Sequence, residues 1–350
     1  MSNVQIVITQ KDIDKYDIMK MSQVYDFWPK IAEESYFSNL DFIDIKNIDH
    51  IVFAGMGGSG AIGDVFASIL SRTNIHVSVI KGYELPKTVD KNTLTVITSI
   101  SGNTDEMLKI LNYVKRKNYN SISFSSGGKI EEICNNYKIN YRKISQNLSP
   151  RASFVNYLFG ILKVLEPIMP IKKYEIIKAL QDLEKTSRNI STKNLNKNNA
   201  ALDLAEWINN IPLIYYPSGL QSAAIRFKNS LQENSKTHVI AEDIIESCHN
   251  GIVAWVKNSK VQPILIKGTN DHPKTKERWD IIREFFIDRN VEFKEINSIQ
   301  GNILSKIINL IYLLDYSSIY LAIKNKIEPN EVLPIDFVKK RLEEKHSKCI

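Results

Sequence analysis

The feature that most constrains this chain is a repeated junction: an apolar run opens into a loop of glycine and hydroxyl residues, and a helical pattern follows at once. The run from Ile51 to Ala54 leads through Gly55-Met56-Gly57-Gly58-Ser59-Gly60 into AIGDVFASILSR. LTVITSI at 94–100 leads through SGNT into DEMLKILNYVKRK. IHVSVI at 75–80 lies between these two units, and SISFSS at 121–126 ends at Gly127 and Gly128. Short apolar runs bounded by turn residues read as strands. Their alternation with helices over the first 150 residues predicts a parallel sheet covered by helices, joined by right-handed crossovers.

From Ala152 to about Asn210 the pattern is helical, and the polar patch TSRNISTKNLNKNN is the best linker candidate. Alternation then resumes with PLIYYPSGL, the helical AAIRFKNSLQEN, strands near 238–241 and 261–267, a helix from about Lys274 to Arg289 and a long helical C-terminus. PLIYYPSGLQSAAIRFKNSL repeats the layout of IVFAGMGGSGAIGDVFASIL without the paired glycines, a hint of duplication. The expected fold class is α/β: two doubly wound, flavodoxin-like subdomains, each a parallel sheet flanked by helices. Their expected bounds are 1–155 and 211–350, with a helical connection and linker over 156–210.

With 350 residues, 43% of them hydrophobic, the chain has enough apolar material for two such cores. Its net charge of +7 is spread along the sequence without a nucleic-acid reader motif, so no nucleic-acid partner is expected. The N-terminus, MSNVQIVITQKDIDKYD, lacks the basic and apolar segments of a secretory signal, which predicts a cytoplasmic protein. The longest apolar stretch, Ile307 to Ile323, is broken by Asn309, Asp315, Ser317 and Ser318, and reads as a buried helix rather than a membrane span. Cys134, Cys248 and Cys349 are scattered and form no CxxC pair, so reduced thiols are expected and neither a disulfide framework nor a metal site.

Residues 55–60 satisfy GxGxxG between a strand and a helix, so a dinucleotide site has to be weighed. Against it, IHVSVI ends at Lys81 and Glu84 comes several residues too late to hold a ribose. What survives is an anion seat: Gly58 lets backbone N–H groups at a helix N-terminus approach a phosphate, and Ser59 adds a hydroxyl. Ser99, Ser101 and Thr104 surround Gly102 and Asn103 at the next junction, more hydroxyls than one helix cap needs. Ligands of parallel sheets bind outside the carboxyl ends of the strands, where both loops should lie.

The loops GMGGSGAIGD, SISGNTDEML and SSGGKIEE resemble those of the sugar isomerase (SIS) domain, and are most similar to the archaeal and bacterial bifunctional phosphoglucose/phosphomannose isomerase family. The resemblance continues through PRASFVNYLFGIL, LQENSKTHV, ESCHNGIVAW and LIYLLDYSSIYLAI, from about Ile51 to Leu342. It implies interconversion of glucose 6-phosphate or mannose 6-phosphate with fructose 6-phosphate, without metal or cofactor. That chemistry needs a base to move a proton between C1 and C2, a group to open the ring and a cation to steady the enediolate. The resemblance assigns these roles to Glu233, His249 and Arg151, and adds a lysine of the last helix, Lys339 or else Lys340. It also implies a homodimer in which the neighbouring subunit donates the histidine.

Taken singly, each of these residues has an ordinary alternative: a solvated glutamate, a packing histidine, an arginine in a surface ion pair. The chain also departs from the family. Gly251 follows His249-Asn250 where an acidic residue is common, Ala254 precedes Trp255 where glycine is common, and Glu328-Pro329-Asn330-Glu331 replaces an Asp-Pro-Thr-Pro run. The last change puts Asn330 where a threonine shapes the pocket around C2, a determinant of hexose preference. Two rival functions are a non-catalytic sugar-phosphate sensor, for which no helix-turn-helix output module is seen, and another amino-sugar phosphate enzyme of the SIS class, for which no N-terminal glutaminase cysteine is seen.

Overall fold

The computed structural model describes residues 8–257 and 259–347. Three short helices, α1 (Gln10–Tyr16), α2 (Met21–Asp26) and α3 (Trp28–Tyr36), precede the first sheet. That sheet comprises β1 (His50–Gly55), β2 (His76–Ile80), β3 (Thr93–Thr98), β4 (Ser121–Ser125) and β5 (Asn140–Lys143), all parallel in the order β2-β1-β3-β4-β5. The strand order reverses between β1 and β3, whose pairing runs to Gly55 beside Thr98, so the two anion loops leave adjacent strand ends at the switch point. Both strands are buried along their whole length, β1 through the apolar run Ile51–Ala54 and β3 through Leu94, Val96 and Ile97 set among Thr93, Thr95 and Thr98.

Helices α4 (Gly57–Leu70), α5 (Asp105–Lys117) and α6 (Gly128–Tyr137) follow β1, β3 and β4, as the junctions predict. The second sheet is also parallel, β7-β6-β8-β9, built from β6 (Ile211–Tyr216), β7 (Ile240–Asp243), β8 (Val261–Lys267) and β9 (Lys294–Asn297). Helices α10 (Gln221–Asn234), α11 (Ile244–Ser247) and α12 (Pro273–Asp288) belong to it. Between the sheets run α7 (Phe154–Leu165), α8 (Lys173–Ile190) and α9 (Ala200–Trp207), and the chain ends with α13 (Ile303–Lys324) and α14 (Leu333–Ser347).

One apolar core joins the two sheets: Ile51 and Phe53 of β1, Ile214 of β6 and the buried faces of α4, α7, α8, α10 and α13 all belong to it. Smaller clusters cover the outer faces, around Ile97, Met107 and Ile130 on the first sheet and around Tyr215, Trp279 and Phe286 on the second. Helix α13 is long and apolar enough to cross a membrane, but 89% of its apolar window is buried inside the fold. Its tyrosines meet backbone or carboxylate partners there: Tyr312 and Tyr320 donate to the carbonyls of Tyr25 and Ile190 at 2.7 and 2.8 Å, and Tyr316 donates to Asp26 at 2.6 Å. The polar patch that reads as a linker is held against this helix. Its first residues finish α8, Thr192 N–H donates to Asp26, and fully buried Asn199 caps α9. Asparagine side chains bonding to local backbone groups explain why so polar a segment is ordered.

Candidate active site

The α4 loop and the β3–α5 loop form one wall. Backbone N–H groups of Ser59 and Gly60 turn back onto Met56 O, and the α4 N-terminus presents Gly57 and Gly58 ahead of them. Ser99 is buried, and its Oγ lies 2.8 Å from Thr104 Oγ1. Thr104 is the N-cap of α5 yet makes no capping bond, because its hydroxyl turns to Ser99 instead. Ser101 is exposed at the loop tip, where its Oγ accepts from Asn103 N–H at 3.3 Å. Gly102 has φ +71°, and a Cβ there would come within 1.8 Å of Gly127 O, so only glycine lets the second and third loops pass this closely.

Gly58 connects this wall to Arg151. A Cβ on Gly58 would lie 3.5 Å from Pro150 O and from Arg151 Cα, so the α4 N-terminus abuts the turn that opens α7. Arg151 is only 6% exposed, and two of its three guanidinium nitrogens are hydrogen-bonded. Nε donates to Asn234 Oδ1 at 2.7 Å, Nη2 donates to Pro329 O at 2.6 Å, and Nη1 lies 3.5 Å from Glu233 Oε2. Burial lowers the guanidinium pKa despite the opposing carboxylate of Glu233, and the group stays charged. Glu233 faces a cavity of about 380 Å3 whose walls are Gln232, Lys236, Thr237 and His238 on one side and Glu331, Val332, Pro334 and Ile335 on the other.

Behind Arg151 stands a second, deeper arginine. Arg226 donates through Nε and Nη2 to Asp315 Oδ2, at 3.0 and 2.7 Å, and through Nη2 to Arg151 O at 3.0 Å. Its guanidinium lies over the Phe154 ring, and Asp315 also accepts from Tyr25 and Ser230 hydroxyls. Burial alone would lower the Arg226 pKa, but the Asp315 carboxylate more than reverses this. Fully buried Asn234 completes the socket: while its Oδ1 holds Arg151, its Nδ2 donates to Ser318 Oγ at 2.8 Å. Sequence reading missed Arg226, Asn234 and Asp315. The signal was there in Asp315, a carboxylate inside an apolar run, since a buried charge demands partners.

Asn330 lies one residue beyond the carbonyl that holds Arg151. Its N–H donates to Glu328 Oε1 at 2.9 Å, and its buried Oδ1 has no hydrogen-bond partner among the described residues. His249 lies in the ESCHNG segment. It is exposed in the turn after α11 and is not among the residues that line the Glu233 cavity. Gly251 in the same turn has a physical reason, because a Cβ there would meet Glu242 Oε2 at 2.5 Å. Lys339 and Lys340 are exposed on α14 and likewise do not line the cavity. Cys134 is buried and Cys248 half-buried, both unpaired, while Cys349 lies outside the described residues. Among the described residues no group of three or more His, Cys, Asp or Glu is placed to hold a metal ion.

Residues 44–156 match the SIS domain, and residues 197–342 match the bacterial phospho-glucose isomerase C-terminal SIS domain. A bifunctional phosphoglucose/phosphomannose isomerase from Caldicellulosiruptor bescii is 32% identical over 316 residues, covering 86% of this chain and 92% of that protein. A D-glucosamine-6-phosphate 4-epimerase from Sulfolobus acidocaldarius is 26% identical, covering 70% of this chain and 77% of that protein. In fold, the chain resembles the C-terminal domain of glucosamine-fructose-6-phosphate aminotransferase from Francisella tularensis, with a TM-score of 0.65 at 15% identity over 89% of this chain and 98% of that one.

Proposed function

This chain belongs to the bifunctional phosphoglucose/phosphomannose isomerase family, and from that premise we propose that it interconverts glucose 6-phosphate, mannose 6-phosphate or both with fructose 6-phosphate through an enediolate. The observation that carries the mechanism is the approach of Arg151 Nη1 to Glu233 Oε2, 3.5 Å apart beside a cavity. The phosphate sits on Gly58, Ser59, Ser99, Ser101 and Thr104. Glu233 takes the proton from one carbon of the C1–C2 pair and returns it to the other. Arg151 meets the negative charge that develops on oxygen, already oriented by Asn234 and Pro329 O, so little reorganisation is needed in the transition state. A cation fixed at that point supplies the charge stabilisation, and the reading therefore includes no metal ion or cofactor.

His249 opens the sugar ring from the neighbouring copy of a homodimer, and Asn330 tunes the preference between the C2 epimers. Two features support the dimer. Apolar side chains stand exposed beside His249, Val253 and Val256 at 66% each. Exposed Leu333, Phe337 and Val338 on α14 offer a further apolar face to a partner. The protein so described is a soluble, cytoplasmic enzyme. The epimerase relative keeps amino-sugar phosphate chemistry as a second reading, so glucosamine 6-phosphate belongs in the same assay.

The test is kinetic. Glu233→Gln keeps shape and hydrogen bonding but cannot accept the proton, and should lower kcat by about 10²-fold or more with substrate binding retained. A Ser101→Ala and Thr104→Ala pair should chiefly raise KM. A Glu233→Gln enzyme that keeps a tenth of wild-type kcat would remove Glu233 as the base, and turnover of glucosamine 6-phosphate alone would favour the epimerase reading.

A further inference from the structure

Lys236 ties the end of α10 to the segment that carries Asn330. Its backbone sits at φ +56°, a left-handed conformation uncommon for a residue with a side chain. The side chain lies over the C-terminus of α10, where Nζ donates to the carbonyls of Glu233 at 2.8 Å and Asn234 at 3.1 Å. It also reaches the carbonyls of Glu328 at 3.1 Å and Pro329 at 3.4 Å. Three N–H donors are thus shared among four acceptors on two separate segments. Pro329 O is the same oxygen that receives Arg151 Nη2 at 2.6 Å, so one carbonyl joins both cations.

Resting on the isomerase reading above, we propose that Lys236 is a positioning residue: its ammonium clamps the 328–330 segment onto α10 and so fixes Arg151 and Asn330 relative to Glu233. Nothing in this role requires contact with substrate. Displacing Pro329 removes an acceptor from Arg151, and misplacement of a charge-stabilising group by about 1 Å costs on the order of 10²-fold in rate.

The surroundings make the clamp titratable. Lys236 is exposed as a whole, but the enclosure of its ammonium among four carbonyls, with help from Arg151, brings its pKa down to about 8, while Glu331, Glu328 and Glu233 pull it the other way. His238 stands on the same cavity wall. Well below pH 8 the ammonium is complete, and as the pH rises through about 8 one donor and the charge are progressively lost. Stability runs in the opposite sense. The folded-state pKa lies below the ordinary 10.5, so burying the charge destabilises the fold at low pH, and this cost fades between about 8 and 10.5. Activity should therefore fall over a range in which this group makes the fold more stable, which separates clamp release from unfolding.

The experiment compares wild type, Lys236→Arg and Lys236→Met from about pH 6 to about pH 10, each profile scaled to its own maximum. Wild-type kcat/KM with either hexose 6-phosphate should show an alkaline limb near pH 8. Lys236→Arg, whose charge does not titrate there, should lack that limb, and Lys236→Met should lose roughly tenfold or more in kcat at neutral pH. Hydrogen exchange at the amides of 330–332, corrected for intrinsic rate, reads the clamp without substrate. Protection should drop in Lys236→Met and, in wild type, above pH 8. An alkaline limb retained in Lys236→Arg, or protection unchanged in Lys236→Met, overturns the clamp. Changed protection in a wild-type enzyme that turns over neither hexose phosphate instead overturns the isomerase reading and leaves the clamp standing.

Discussion

Arg151 and Glu233 face each other with Nη1 and Oε2 3.5 Å apart, too far for a strong hydrogen bond and close enough for direct electrostatic contact. The other two nitrogens of the guanidinium are committed, to Asn234 Oδ1 and Pro329 O, so Nη1 is the corner turned toward Glu233. Arg151 is therefore a fixed fork with one working tine. Lysine offers a single ammonium on a flexible stem and cannot satisfy three directions at once. Arg151→Lys should lower kcat by about 10²-fold, the scale for losing one oriented donor to a developing oxyanion, while KM changes much less. Steady-state kinetics check this, with circular dichroism to confirm the fold. A kcat within threefold of wild type would show that the guanidinium geometry is not used.

The Arg226–Asp315 pair supports the site from below, through the bond from Arg226 to Arg151 O. Asp315 is fully buried and receives Arg226, Tyr25 and Ser230, so removing Arg226 strands a charge in the core. Arg226→Met should destabilise the protein by roughly 3–5 kcal/mol, the range for breaking a buried pair from one side. Arg226→Met with Asp315→Leu should recover most of that loss, though not all, because the Tyr25 and Ser230 hydroxyls then lack their acceptor. Urea midpoints of the three proteins decide the matter. A double variant no more stable than Arg226→Met would mean that the stranded charge is not the cause.

The strand and loop junctions were legible because their information is local. A buried strand, a close backbone crossing and a helix N-terminus each leave a mark within ten residues, as Ile51–Gly60 and Ser99–Thr104 do. Family motifs also led to Glu233 and Arg151, which the fold brings together. Sequence could not reveal what holds them, since Arg151 and Pro329 are 178 residues apart and Arg226 and Asp315 are 89 apart. Lys236 was hidden in another way: beside Glu233 in LQENSK it looks like an ordinary surface lysine, and only the return of the chain at 328–329 gives it carbonyls to clamp. The contacts of the polar patch were hidden for a similar reason, because Thr192 and Asn199 look solvated until α2 and α13 are laid against them.

His249 is exposed in the turn after α11 and is not among the residues that line the Glu233 cavity. In a two-fold dimer, a residue missing from one copy's site is supplied by the same residue of the other. Mixing Glu233→Gln chains with His249→Ala chains then gives heterodimers in which one site carries both defects and the other carries neither. Each parent should be nearly inactive, and the mixture, once subunit exchange is verified by native mass spectrometry, should regain activity in proportion to the heterodimer formed. With statistical exchange, half of the dimers are heterodimers and each holds one intact site, which sets recovery near a quarter of wild-type activity per chain as an approximate ceiling. Were Glu233 and His249 of one chain to act together, every site in the mixture would lack one of them. Activity would then stay at the level of the parents, and the shared site would be excluded.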